Sequence, residues 1–197
     1  MDLDFVRKGV STMKTKQQGF TFVELVIVVV VLGLLAAVAL PRFINLTDEA
    51  EVASAEGVAG GFASAVGLVR GQWEVDGRPA GEVAIDGITV DVNGNGYPDG
   101  NSGVDERQQC ALAMTQSLSS SPKLTTADTF ADGDRFVVWG EGAGADRLCT
   151  YVQLYSLGLE QGDEVPATAD AVEAGRSYVG FEYRPETGQV TTFSRTN

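Results

Sequence analysis

The sequence predicts an α+β protein: a long N-terminal α-helix, transmembrane in its hydrophobic half, packed on a C-terminal antiparallel β-sheet that carries one short helix. Three observations predict it. Residues 20–40 form an unbroken apolar run, apolar residues then recur at three- and four-residue spacing to Trp73, and the remaining two-thirds sets short apolar runs between turn residues. At 197 residues and 44% hydrophobic content the chain holds one ordinary domain plus an appendage and is not disordered throughout. It has no histidine, which removes Ser-His-Asp triads, His-ligated zinc and imidazole acid–base work together. Acids outnumber bases 27 to 14, a net charge of −13 that repels phosphate backbones, so no nucleic-acid partner is expected. No nucleophile stands near a recognisable base and no glycine loop suits a phosphate, so the chain is not expected to be an enzyme.

The first element is FTFVELVIVVVVLGLLAAVAL, residues 20–40, whose one charge is Glu24. As a helix it spans roughly 31 Å, close to the ~30 Å hydrocarbon thickness of a bilayer. Arg7, Lys8, Lys14 and Lys16 precede it and an acidic chain follows, so the positive-inside rule keeps the N-terminus cytoplasmic and exports the rest. A secretory signal wants a shorter apolar core and a small-residue cleavage site, whereas this run continues into a helical pattern. A plain anchor explains the length but not Glu24, since an ionisable group in the bilayer costs roughly 2.5 kcal/mol or more unless it is partnered.

The string Lys16-Gln17-Gln18-Gly19-Phe20-Thr21-Phe22-Val23-Glu24-Leu25 resembles the type IV prepilin leader. The resemblance implies that a membrane aspartic peptidase cuts between Gly19 and Phe20 and methylates the new N-terminal Phe20. Residues 1–19 are then a leader whose true start is Met1 or Met13. The stretch from Met13, with Lys14 and Lys16 and no acid, is the more typical of the two. The resemblance also gives Glu24 a partner, the N-terminal amine of a neighbouring subunit, which sets axial register. The physics agrees, because a buried carboxylate is retained when paired and a buried pair fixes geometry better than it adds stability. The implied partners are other copies of the chain and related pilins in a filament, the prepilin peptidase, the inner-membrane assembly machinery and, before assembly, the inner membrane. A single-pass N-in/C-out precursor in the bacterial inner membrane would become an extracellular pilus with no required cofactor.

Residues 41–75 are expected to continue the helix as its amphipathic half. Pro41 removes a backbone bond and Gly33 adds local weakness, so both are helix weak points. Family resemblance supplies a use for Pro41, since type IV filaments commonly show extended backbone there after assembly. The competing reading ends the helix at Leu40 and starts a new one at Pro41. From Phe43, the residues Leu46, Ala50, Ala53, Gly57, Phe62, Val66, Val69 and Trp73 are expected to form one apolar face against the sheet. Glu49, Glu51 and Glu56 would face water or a neighbour. The segment Pro41-Arg42-Phe43-Ile44-Asn45-Leu46, with Gly96-Tyr97-Pro98 further on, resembles more narrowly the mannose-sensitive haemagglutinin (MSHA) pilins.

Residues 76–197 read as the globular head. Val83–Ile85 and Ile88–Val90 flank Asp86-Gly87, a hairpin signal. Strands are expected over 135–139, 148–155, 178–184 and 189–193, the last two joined at Pro185-Glu186-Thr187-Gly188. Ser102 to Asp105 has capping-box spacing ahead of a short helix over 108–118. Asp132, Asp134, Asp163 and Glu164 read as solvating acids, and Tyr151, Tyr155, Tyr178 and Tyr183 as strand aromatics in the core or in cross-strand pairs.

Cys110 and Cys149 are the only cysteines, both in the exported part where thiols are oxidised, so a disulfide is expected; two separate buried thiols are the alternative. Pilins often close a C-terminal loop in this way. Residues 91–99, DVNGNGYPD, match the start of a calcium loop, making Asp91, Asn93, Asn95 and Asp99 candidate ligands. Ser102 stands where the pattern wants a bidentate Glu, and the competing reading is an Asn- and Gly-rich turn. Function then divides three ways. The resemblance favours a pilin polymerised for attachment, motility or biofilm formation. The alternatives are a type II secretion pseudopilin and a membrane-anchored periplasmic binding domain.

Overall fold

The computed structural model describes residues 19–100 and 102–196, with backbone alone for 41–48, 145 and 169. Leader residues 1–18, Met13 among them, and the side chains of Pro41, Phe43 and Leu46 lie outside the described residues. The chain divides into two units at Ile44–Asn45, taken here one at a time.

Helix α1 is assigned over Phe22–Val75. The assignment passes Gly33 and Pro41 without a break, so the helix end at Leu40 does not occur. In the first unit, Phe22–Leu40 has a mean hydropathy of 3.0 and no part of it is buried.

In the second unit α1 buries Ala55, Ala59, Phe62, Val66, Val69 and Trp73. These recur at alternating four- and three-residue steps, which holds them on one face of a 3.6-residue helix. Ala50, Ala53 and Gly57 are exposed, which corrects the expected face upstream of Phe62. The step of five from Gly57 to Phe62 breaks the period, and the buried row instead reaches Phe62 through Ala55 and Ala59.

A hairpin of β1 (Glu82–Ile85) and β2 (Ile88–Asp91) follows, antiparallel with Ile85 opposite Ile88. Asp86 and Gly87 both take positive φ, 50° and 80°, as a type I′ turn requires. Helix α2 (Glu106–Ser117) comes next, then β3 (Leu124–Thr125), β4 (Phe136–Glu141), β5 (Leu148–Gln153), β6 (Ser177–Arg184) and β7 (Gln189–Thr196). The last five form a sheet in chain order. Strands β4 to β7 are antiparallel, while the two-residue β3 runs parallel to β4, a departure from the all-antiparallel expectation. Two residues are too few to show periodicity.

Strands β4 to β6 are covered on both faces, while β7 at the edge is largely exposed. Phe136, Val138, Tyr151, Phe181 and Tyr183 face α1 and α2, meeting Phe62, Cys110 and Met114. Phe62 lies 4.9 Å from the Tyr183 ring and 5.9 Å from Tyr151. The alternate residues Val137, Trp139, Val152 and Tyr178 pack under loop residues Phe130, Leu154, Leu157, Val165 and Val172. Burial of both faces explains why β4 reads as a continuous apolar run rather than an alternating one.

Candidate functional site

Two places carry the candidate residues. The first is the start of α1. Gly19, Phe20 and Thr21 precede the helix and are exposed, so the expected cleavage bond lies in non-helical, accessible chain. Thr21 accepts from Glu24 N–H through Oγ1 at 3.2 Å, and the Glu24 carboxylate accepts from Thr21 N–H at 2.8 Å and from its hydroxyl at 2.7 Å. This is a capping box, in which residues three apart satisfy each other's backbone donors at a helix start. Within a single chain Glu24 is therefore held by Thr21. The pattern T-x-x-E before an apolar run is a sequence signal for it, and the sequence reading passed over Thr21.

The second place is the 91–99 loop. Asn93 organises it: its Oδ1 accepts from the N–H groups of Asn95 at 2.9 Å and Tyr97 at 3.1 Å, and its Nδ2 donates to Pro185 O at 2.6 Å. Two donors and one acceptor as partners leave a single orientation for this amide. Asn95 Nδ2 donates to Glu186 O at 3.1 Å, tying the loop a second time to the β6–β7 turn. Asp91 turns away to α2, its Oδ2 accepting from Gln116 Nε2 at 2.7 Å. The Asp99 carboxylate pairs with the buried Arg147 guanidinium, which also donates to Asp99 O at 2.7 Å.

The loop also makes aromatic and backbone contacts. Gly96 has φ of +76°, and a Cβ there would meet the Trp73 indole at 2.4 Å, so a side chain is excluded twice over. Arg70 stacks 4.5 Å from the centre of that indole and 5.6 Å from Tyr97. Tyr183 Oη donates to Pro98 O at 2.8 Å. The loop thus joins the end of α1, α2, β6 and the β6–β7 turn.

Of the four expected calcium ligands, Asn93, Asn95 and Asp99 line one cleft with Gly94, Gly144 and Glu186, and Asp91 does not. Oxygens proposed for a cation are engaged by protein donors at Asp91, Asn93 and Asp99. Among the described residues no group of three His, Cys, Asp or Glu is placed to hold a metal ion.

Cys110 and Cys149 form a disulfide with Cα atoms 5.4 Å apart, both side chains fully buried between α2 and β5. Three smaller expectations are corrected. The cap of α2 is Asp105, accepting from Gln108 N–H at 3.0 Å, so the helix begins at Glu106 without the box from Ser102. Asp134 is buried, accepting from Ala131 N–H at 3.0 Å and pairing with Lys123 Nζ at 3.0 Å. Tyr155 is half exposed because β5 ends at Gln153 and a 3₁₀ turn carries it outward.

The prokaryotic N-terminal methylation motif matches residues 14–40. The chain is 43% identical over 79 residues to the type IV major pilin protein PilE of Neisseria gonorrhoeae, covering 39% of this chain and 47% of that one. It is 43% identical over 53 residues to the type IV narrow pilus major component PilA5 of Thermus thermophilus, covering 27% of this chain and 46% of that one. It is 36% identical over 85 residues to the fimbrial protein EcpC of Eikenella corrodens, covering 42% of this chain and 52% of that one. The chain spans about half the length of these curated relatives. No solved structure matches it. Motif and relatives are those of type IV pilins, a non-enzymatic family, and the long apolar helix followed by α2 and an antiparallel-rich sheet is consistent with the pilin fold.

Proposed function

We propose that this chain is an MSHA-like type IV pilin, cut between Gly19 and Phe20, N-methylated at Phe20 and polymerised into an extracellular filament for attachment, surface motility or biofilm formation. It is divided into leader 1–19, assembly helix 20–40, amphipathic helix 41–75 and head 76–197. Its precursor sits N-in/C-out in the inner membrane, is handled by the prepilin peptidase and the assembly machinery, and packs against other copies and related pilins. The observation that carries this reading is the methylation motif running into a 19-residue apolar helix that the folded chain leaves unburied. Such a surface calls for lipid before assembly and for neighbouring helices after it.

Glu24 is the register charge in this reading. Thr21 holds its carboxylate in the free subunit, and the amine of a neighbouring Phe20 takes the carboxylate over in the filament. The 91–99 loop serves as a structural knot that works without calcium, because Arg147, Gln116 and backbone N–H groups already engage oxygens of Asp99, Asp91 and Asn93.

The test is to shear cells expressing wild type or Glu24→Ala, measure fibre yield and sequence the subunit's N-terminus. Wild type should give long external fibres whose subunits begin at methylated Phe20. Glu24→Ala should insert and fold but lose most of its fibre. An unprocessed chain, a product confined to the periplasm, or full fibre yield from the variant would each overturn the reading.

A further inference from the structure

We propose that Asn93 is a self-modifying site: it loses its amide to the adjacent Gly94 nitrogen, and the folded loop selects it over the second Asn-Gly pair, Asn95-Gly96. The sequence carries both pairs within four residues, DVNGNGYPD. In solution they would react alike, since glycine leaves the attacking nitrogen equally unhindered in each. The fold makes them unequal.

The reaction needs a nucleophile and an electrophile. The Gly94 nitrogen attacks Asn93 Cγ, the Cγ–Nδ2 bond breaks, and the proton shed by the Gly94 nitrogen leaves with Nδ2 as ammonia. Water then opens the resulting five-membered imide at either carbonyl, giving aspartate or isoaspartate. Gly94 is exposed, its Cβ position meets nothing within 4 Å, and its N–H has no hydrogen-bond partner among the described residues. The Gly96 N–H is engaged, donating to Asn93 O at 2.9 Å, and Gly96 is buried against Trp73.

The electrophile differs as well. Attack on Cγ puts negative charge on Oδ1, and Asn93 Oδ1 already receives the N–H groups of Asn95 and Tyr97. Two fixed backbone donors aimed at a developing oxyanion are the arrangement that lowers the barrier to addition at a carbonyl. Asn95 Oδ1 has no donor among the described residues.

The product changes the loop. The Asn93 donor to Pro185 O disappears, and a carboxylate faces that carbonyl instead. The cleft lined by Asp99 and Glu186 gains a third acidic residue. An isoaspartate also lengthens the backbone by one carbon between two hydrogen bonds that hold the turn, Asn93 N–H to Tyr97 O and Gly96 N–H to Asn93 O. Conversion therefore removes one of the two side-chain ties between the 91–99 loop and the β6–β7 turn, leaving that of Asn95 to Glu186 O, in one direction and without an enzyme.

The full chain, purified in detergent, is aged in mildly alkaline buffer, folded and in denaturant, and mapped by peptide mass spectrometry with isoaspartate detection. Conversion at Asn93 should outrun that at Asn95 in the folded protein, and the two rates should converge in denaturant. Gly94→Ala, whose side chain enters open space, should fold and suppress conversion at Asn93. Equal or faster reaction at Asn95 in the folded state, no reaction at Asn93 while the denatured control converts, or undiminished conversion in a folded Gly94→Ala variant would each overturn the proposal.

Discussion

Thr21 and Glu24 show how a single side chain answers a physical demand. A carboxylate at the head of an apolar helix needs donors, and the hydroxyl and N–H three residues upstream supply them. The demand was legible in the isolated acid within an apolar run, while the nearby answer was overlooked in favour of a distant one. At the 91–99 loop the reverse holds. Alternating oxygen side chains suggest a cation, yet Asp91 and Asp99 find Gln116 and Arg147, partners 25 and 48 residues away that no local pattern announces. Titrating the full chain in detergent with calcium at extracellular concentrations should give no binding heat. A saturable exotherm lost in Asp99→Asn would show that the cation displaces Arg147.

The second half of α1 is the element on which the head is built. Its buried row begins with two small residues, Ala55 and Ala59, and continues through Phe62, Val66, Val69 and Trp73, with Phe62 reaching among three aromatic rings. Phe62→Ala should destabilise the head by about 3–5 kcal/mol, the range for emptying a packed aromatic site. A shift below about 1 kcal/mol in denaturant unfolding would contradict that packing. The existence of this helix and its downstream face from Phe62 could be read from spacing. Its upstream face could not, because Ala50, Ala53, Ala55 and Gly57 are all small and one period fits them nearly as well as another. Strand boundaries in the head were legible to within a few residues at Asp86-Gly87 and Pro185 to Gly188, where turn chemistry punctuates the pattern.

At the scale of the whole head, a sheet whose central strands are buried on both faces is linked to α2 by Cys110–Cys149, whose closed loop contributes roughly 4 kcal/mol by constraining the unfolded chain. Tyr151 and Tyr183 sit in the same core, donating to Cys110 O and Pro98 O at 2.6 and 2.8 Å. Burial pushes both phenols above their ordinary value. The unfolded chain sheds these protons from about pH 10 while the folded one keeps them, so the stabilisation is intact below about pH 10 and falls as pH rises above it. The slope should approach about 1.4 kcal/mol per pH unit for each tyrosine. Denaturant midpoints measured through the alkaline range should drop accordingly, and Tyr151→Phe should flatten the curve. A wild-type midpoint constant above pH 10 would refute the burial of both groups.

Local chemistry by itself determined the membrane-length helix, the processing motif, the hairpin turns and the α+β class, because each depends on residues close together in the chain. Tertiary structure alone decided which oxygens of the 91–99 loop are taken, why Asp134 is buried and what covers the outer face of the sheet. Those outcomes depend on partners brought together from distant positions, and hydrogen bonding and burial reward contacts that no local spacing encodes.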